Sequence, residues 1–419
     1  MLPAVIKRNA RRWLETPLWQ RVFFALLAGL VAGFFWGPGA ESIRWIGDLF
    51  IRLIQMVVVP LVFVTIVSGI VSMGDPQKLG TLGVKTVAIY MVTTAIAISI
   101  GLIIAFITQP GIGVDISAAV PETVQEPIPL TERLMNIVPS NPVAALAEAN
   151  ILAIIFFAIL FGIAVLVTGK DTDTVADFMH GCAAIMLRIT HWVMEVAPFG
   201  VFALIAWVAG TQGLATLLQV IGLVVTVVSA CVIHTLLMHG SLMHFVLKLS
   251  PLKFFRAVKE AMLVAFSTSS SSATLPVSMT VAESKLGIRP VVVSTVLPLG
   301  ATINMDGTAM YVGIVSVFAA QVFGIDLALV DYLLIAGTTT LVSIGTAAVP
   351  GASIFLMAAV MDTIGLDPGQ IAVVIGFILP FDRPLDMLRT SVNVTGDLSV
   401  ATAVARWEDE FDEEIFARN

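Results

Sequence analysis

Charge is what this sequence lacks most. Only 12% of its 419 residues are Asp, Glu, Lys or Arg, about half the quarter that a water-facing domain carries. That shortage excludes an ordinary cytosolic enzyme and a disordered scaffold. Basic residues are also outnumbered, 22 Lys and Arg against 29 Asp and Glu, and the net charge of −7 leaves no basic surface to grip nucleic-acid phosphates. Two cysteines, Cys182 and Cys231, form neither a disulfide framework nor a zinc site by themselves and read as apolar helix residues. The apolar stretch after Arg21 is long and has no small-residue cleavage pattern, so no cleavable signal peptide is expected. What abounds is apolar: 58% hydrophobic residues and a mean hydropathy of +0.98. The chain reads as a polytopic membrane protein.

About 20 apolar residues cross the hydrocarbon core as a helix. Residues 22–40, 53–74, 86–114 and 149–169 each supply such a stretch, and 196–247 splits near 210–213 into two. Beyond it, residues 261–282, 290–325, 332–361 and 369–405 are apolar but interrupted by Ser, Thr, Gly, Pro and single charges. Such segments are expected to be broken or re-entrant helices lining a site, because irregular backbone facing lipid leaves polar groups unpaired. Lys7, Arg8, Arg11, Arg12 and Arg21 place the N-terminus in the cytoplasm, and the acidic stretch 115–148 falls outside. Parity closes with eight full spans and two re-entrant hairpins. The acidic end then lies inside as a solvated tail.

Four polar groups in the last third carry the chemistry. The first, Ser267-Thr268-Ser269-Ser270-Ser271-Ser272-Ala273-Thr274-Leu275-Pro276, sits midway along a membrane-length apolar segment. Serine runs are usually linkers, but linkers are not flanked by apolar sequence at membrane depth. The run suits a hairpin tip, where two short helices meet and backbone N–H groups face an anion. The second, Gly300-Ala301-Thr302-Ile303-Asn304-Met305-Asp306-Gly307-Thr308, puts a carboxylate where it costs about 2.5–3.5 kcal/mol. A regular helix would scatter Asn304, Asp306 and Thr308 over different faces, and Gly307 beside them points to unwinding. Carboxylate, amide and freed carbonyls make a hard-cation site.

The third group, Ser343-Ile344-Gly345-Thr346-Ala347-Ala348-Val349-Pro350-Gly351-Ala352-Ser353, is another Gly/Pro break, and like the first it precedes a full span. Hairpin then span, twice over, marks a carrier built from inverted repeats. The fourth runs from Asp382, Arg383 and Pro384 through Asp386, Arg389, Thr390 and Asn393 to Asp397. At about 100° per residue, Arg389, Asn393, Asp397 and Thr390 fall roughly −60°, −20°, +20° and +40° from Asp386. One helix face therefore carries two carboxylates, a guanidinium, an amide and a hydroxyl. Intramembrane charges are rare and mark a pathway. Arginine suits bidentate capture of a carboxylate, and Asp386 suits an ammonium. The pair asks for a zwitterion with an extra carboxylate.

These groups, in this order and at these intervals, resemble the sodium-coupled glutamate transporter family (dicarboxylate/amino acid:cation symporters), over nearly the whole chain from residues 47–69 to Asp397. The resemblance implies an all-α, elevator-type fold of eight transmembrane helices plus two re-entrant hairpins. It implies a homotrimer in the cell membrane with both termini cytoplasmic. The scaffold would comprise residues 1–81 (first and second spans) and 111–216 (fourth and fifth). A moving transport domain would comprise 82–110 (third span) and 217–405 (sixth span, hairpins, seventh and eighth spans), followed by the acidic tail 406–419.

By matching position, Arg389 and Thr308 are expected to hold the substrate's side-chain carboxylate and Asp386 its ammonium. Asn393, Ser270, Ser271 and the Val349 backbone would hold the α-carboxylate, with Thr390 alongside. Sodium ions, the co-transported cations, are expected at Asp397 with carbonyls of Gly300, Asn304 and Asn393. A second is expected at Asp306 with Asn304, Tyr90, Thr93 and Thr94, and a third under the second hairpin near Ser343 and Thr346. The sequence departs from the family pattern at Pro384, read as a kink or shift at the start of the last span. It departs again at Ala348 and Ser353, which replace glycines of the gate hairpin.

Sodium-driven uptake of aspartate or glutamate is the expected function. The alternatives of the same fold are a proton-coupled carrier and a C4-dicarboxylate carrier, which has no ammonium to satisfy and no use for Asp386. A passive anion channel would not require a zwitterion-reading face. An intramembrane serine hydrolase needs a general base, and the histidines are poorly placed for it. His234 and His239 lie on an earlier span with no acidic partner in sequence reach, and His180, His191 and His244 flank span ends. All five read as packing or interfacial residues.

Overall fold

The computed structural model of the chain describes residues 18–72, 76–114, 138–148, 150–211, 214–343 and 352–418, with Thr16 and Met135. These residues are nearly all helical. Five helical stretches are long and apolar enough to cross a membrane, 20–53, 82–108, 153–195, 220–246 and 290–322, and shorter apolar helices lie at 59–71, 197–211, 329–341 and 369–379. Fewer stretches pass that test than the eight expected spans because prolines, polar breaks and charges cut the later helices into shorter apolar pieces.

One group of helices is formed by α1 (Leu18–Trp36), α2 (Arg44–Ser72), the short α4 (Pro142–Ala147), α5 (Ile151–Thr168), α6 (Asp173–Glu195) and α7 (Ala197–Thr211). α3 (Pro76–Thr108), between them in sequence, belongs to the other group. α1 lies along α7 and α2 packs on α5, α6 and α7. Lipid tails give two apolar helices little reason to prefer each other, so small residues that admit close backbone contact decide the pairing. Gly29 and Gly33 do so here: a Cβ at the first would collide with the Phe202 carbonyl oxygen, and one at the second with that of Ala206. At the start of α1 the buried Arg21 forks onto Glu195 at the end of α6, at 2.6 and 3.1 Å. The charge pattern leaves residues 173–195 outside the expected spans; they form α6, which runs almost directly into α7.

The second group is built on α3 and α8 (Leu214–His234). The hairpin α9 (Pro251–Thr268) and α10 (Ser271–Val281) joins them, then α11 (Pro290–Ile303) and α12 (Asp306–Val322). It is completed by α13 (Leu329–Ser343), α14 (Ala352–Thr363) and α15 (Pro368–Trp407). α15 packs on α9, α11, α12 and α14, and α12 on α3. α8 turns a stripe of Val220, Leu223, Val227, Ala230 and His234 toward α3, α12 and α15, the 3–4 spacing of a helix with one buried face. Every residue of α12 from Asp306 to Ala320 is buried, so this helix is encased in protein. α15 and α8 meet α7, and α14 meets α2 and α5; the two groups touch along that seam.

The backbone of α15 is helical through Pro384 without interruption; a proline removes only one donor, and neighbouring helices on several sides hold the rest of the turn in place. The acidic end keeps its carboxylates exposed or half-exposed, as expected, but it is docked on the protein and not free. Ile288 and Phe411 form an antiparallel bridge, Asp412 N donates to Gly287 O at 2.8 Å and Arg289 N to Glu410 O at 3.0 Å. Arg289 also lies 3.5 Å from the Glu410 carboxylate, and Lys85 of α3 2.5 Å from Glu408. Phe416 on the terminal helix α16 (Glu413–Arg418) is buried. Its acidic composition hid a strap in which Glu408 pairs with Lys85 of α3 and Glu410 with Arg289 at the base of the first hairpin.

Candidate solute and cation site

Two breaks in regular helix meet α15, and a third expected one lies between α13 and α14. At the first, α9 ends at Thr268, Ser269 turns left-handed (φ 50°), and Ser270 caps α10 by accepting from Ala273 N at 3.2 Å. Ser271 is buried, and the hairpin is tied to α15 by Ser391 Oγ donating to Met262 O at 2.9 Å. The second break is the expected unwinding: α11 stops at Ile303, Asn304 and Met305 leave helical geometry, and α12 restarts at Asp306. The third lies between α13 and α14. Thr346, Ala348 and the Val349 backbone fall outside the described residues. Ser343 is buried, its hydroxyl donating to Thr340 O at 2.9 Å.

The unwound link meets α15 closely. Gly307 N donates to Asn393 Oδ1 at 2.8 Å, and Asn393 Nδ2 reaches Thr308 Oγ1 at 3.3 Å. A Cβ on Gly307 would lie 2.5 Å from Arg389 O, so only glycine lets the two backbones approach there. Thr390 Oγ1 donates to Asp386 O at 2.8 Å within α15.

Two buried carboxylates stand on either side of Asn304. Asn304 Nδ2 donates to Asp397 Oδ1 at 3.0 Å and to Asn393 O at 3.4 Å. Gly300 presents no side chain there: a Cβ would lie 2.5 Å from Asp397 Oδ1 and collide with Tyr90 Oη. On the other side, Thr94 Oγ1 donates to Asp306 Oδ1 at 2.8 Å and Thr93 Oγ1 to Asn304 Oδ1 at 3.3 Å. Carboxylate, amide, hydroxyl and carbonyl oxygens, all hard donors, therefore gather in two adjoining sets that fit small hard cations. Tyr90, Thr93, Thr94, Gly300, Asn304, Asp306, Asn393 and Asp397 are brought together; Ser343 and Thr346 belong to the other hairpin.

Arg389 is completely buried and heavily engaged. Its Nη1 donates to Asp382 Oδ1, and its Nη2 to Asp382 Oδ1, Asp386 Oδ1 and Ser353 Oγ, each at 3.0 Å. The guanidinium lies over the Tyr311 ring, 3.8 Å from its centroid, while its Nε has no hydrogen-bond partner among the described residues. Arg383 Nη1 approaches Asp386 Oδ2 at 3.5 Å. Asp382, Arg383, Asp386 and Arg389 thus form a charge-balanced buried cluster. Neutralised within the protein, it holds its charges without a solute.

Sequence reasoning missed the roles of Asp382, Tyr311 and Ser353. Asp382 was legible, since four residues before Asp386 places it about 40° away on the same face. Ser353, read only as a lost glycine, is a ligand of Arg389. The histidine reading also needs correction: His234 Nε2 lies 3.3 Å from Asp306 Oδ2, with both side chains fully buried. That acidic partner is distant in sequence and adjacent only once α8 packs on α12.

Apolar helices enclosing paired charges and oxygen-lined sets define a polytopic membrane carrier. The model of the sodium:dicarboxylate symporter family matches residues 18–407, and the chain belongs to that family. It is 35% identical over 411 residues to the proton/sodium-glutamate symport protein of Geobacillus stearothermophilus, covering 94% of this chain and 95% of the relative. It is 36% identical over 401 residues to the proton/glutamate-aspartate symporter of Bacillus subtilis (strain 168), covering 93% and 95%. With the C4-dicarboxylate transport protein of Anaeromyxobacter sp. (strain K) it shares 33% over 416 residues, covering 97% and 92%. The protein is a symporter, not an enzyme.

Proposed function

We propose that the protein takes up aspartate or glutamate with sodium, using α15 as the solute-reading helix. The observation that carries this reading is the buried Arg389 sharing its guanidinium between Asp382 and Asp386. Binding is then an exchange of partners. A substrate carboxylate takes donors of Arg389, the displaced Asp386 takes the substrate ammonium, and Thr308 and Asn393 stand within the same network. The ammonium and one carboxylate are compensated in that exchange. The second carboxylate, the one charge left over, is met by the Asn393 amide, the serine tip and the positive charge of sodium; an unpaired charge in such a site would cost several kcal/mol. Sodium ions fill the oxygen sets at Asp397 and Asp306.

The group of α3 and α8–α15 serves as the moving transport domain and that of α1, α2 and α4–α7 as the scaffold, in a homotrimer with both termini in the cytoplasm. Support comes from the packing: helices of each group contact one another far more than they contact the other group.

One observation favours a second reading, a C4-dicarboxylate carrier. Arg383 lies close enough to hold Asp386 when no ammonium arrives. Radiolabelled aspartate uptake into proteoliposomes, driven by an inward sodium gradient and challenged with succinate, separates the two. The amino-acid reading expects sodium-driven uptake that excess succinate barely reduces and that Arg389→Ala abolishes. Uptake driven only by a pH gradient overturns the sodium assignment. Efficient competition by succinate overturns the substrate.

A further inference from the structure

Transport as described has no use for the histidine pair at the end of α8. His239 lies five residues after His234, a separation that turns side chains about 140° apart on a regular α-helix. Here the segment Thr235–His239 is a π-turn, a wider turn that recurs at functional sites. It brings the two rings together, with centroids 5.0 Å apart at 83°. Both rings and Asp306 are fully buried, and one ligand atom from each of the three lies within 4.8 Å of the others.

The hydrogen bonds around the cluster leave metal-binding lone pairs unused. Ser399 gives its single hydroxyl proton to Gly396 O at 3.0 Å. Ser399 Oγ also lies 2.8 Å from His239 Nδ1; in the tautomer with the ring proton on Nδ1, that nitrogen donates to Ser399 and Nε2 keeps a bare lone pair. Orientation of one ring nitrogen by a hydrogen bond, freeing the other, is the usual outer shell of a metal-bound histidine. His239 Nε2, both His234 nitrogens and Asp306 Oδ2 are buried without a hydrogen bond among the described residues, the nearest approach being the 3.3 Å between His234 Nε2 and Asp306 Oδ2. Groups left so in a native interior call for a physical reason.

We propose that His234, His239 and Asp306 form a site for a divalent transition-metal ion of the zinc class. Two imidazole nitrogens and one carboxylate oxygen suit such an ion, whereas sodium, a hard cation, is better matched by the oxygen sets around Asn304. Tetrahedral bonds of about 2.0–2.1 Å place ligands about 3.3–3.4 Å apart, so a modest ring rotation closes the cluster around the ion. Asp306 supplies Oδ2 while Oδ1 stays with Thr94, and water takes the fourth position. A metal held there withdraws Asp306 from the transported cation and inhibits uptake. That consequence rests on Asp306 being a cation ligand; the metal site itself does not.

Cobalt(II) titration of the untagged, full-length protein in detergent tests the site, because tetrahedral cobalt absorbs strongly in the visible. The expected result is one tetrahedral cobalt per chain, displaced by zinc, with the spectrum lost in both His234→Gln and His239→Gln proteins that remain monodisperse. No tetrahedral spectrum, or the same spectrum in both variants, overturns the site. Zinc inhibition of aspartate uptake in wild type, relieved at least tenfold in His239→Gln, supports the competition. Cobalt binding with zinc-insensitive uptake overturns the competition. Absence of any uptake without added metal counts against the carrier reading instead.

Discussion

At the scale of single residues, opposite charges are stored against one another, and the proposed function has a solute exchange partners with them. Arg389 carries two carboxylates, and Asp386 is reached by two guanidiniums. Asp386→Asn removes the group that answers the ammonium while Asp382 continues to hold Arg389. Loss of a desolvated charge pair costs about 2–4 kcal/mol, so aspartate should bind roughly thirty- to a thousandfold more weakly. Succinate, with no ammonium, should bind Asp386→Asn at least as well as wild type. Calorimetric titration of both ligands checks this, and a parallel loss for the two would contradict the assignment of Asp386.

At the scale of elements, the site depends on one crossing, and a separate strap closes the base of the first hairpin. α12 and α15 meet at Gly307 with no room for a side chain. Overpacking of that kind costs about 1–3 kcal/mol, and Gly307→Ala should lower the thermal midpoint and weaken aspartate binding together. An unchanged midpoint and affinity would show that the helices are free to separate there. The strap is anchored by Phe416, whose replacement by alanine removes a buried aromatic worth about 3–5 kcal/mol locally. Amide hydrogen exchange across residues 408–418 should speed up in Phe416→Ala without change in α12. Equal exchange in wild type and variant would mean that the strap is held elsewhere.

The same elements mark what the sequence could disclose. Both the serine hairpin tip and the break before Asp306 were legible, because small hydroxyls in a run, or a carboxylate beside glycine, are costly at membrane depth unless they line a cavity. The face of α15 was legible from helical spacing alone. What remained hidden depends on contacts between distant segments: Tyr311 under Arg389, Ser353 on its Nη2, and His234 against Asp306. A π-turn has no pattern in sequence, so the meeting of His234 and His239 could not be foreseen from their spacing. Composition disclosed the solvated carboxylates of the tail but not its docking, in which Glu408 and Glu410 also face Lys85 and Arg289.

At the scale of the molecule, the residues proposed for cations and for solute belong to one continuous buried network. Asn304 bridges the two oxygen sets, Asn393 joins its backbone oxygen to Asn304 and its amide to Gly307 and Thr308, and Arg389 begins one turn before Asn393. Filling the cation sets fixes the backbone that carries the solute ligands, and mutual linkage then requires each ligand to tighten the other equally. The most direct measurement is the aspartate affinity of the full-length protein as sodium is varied at constant ionic strength and pH. Sodium-coupled uptake predicts that affinity rises more than tenfold for each tenfold increase in sodium. An affinity independent of sodium across that range would contradict it.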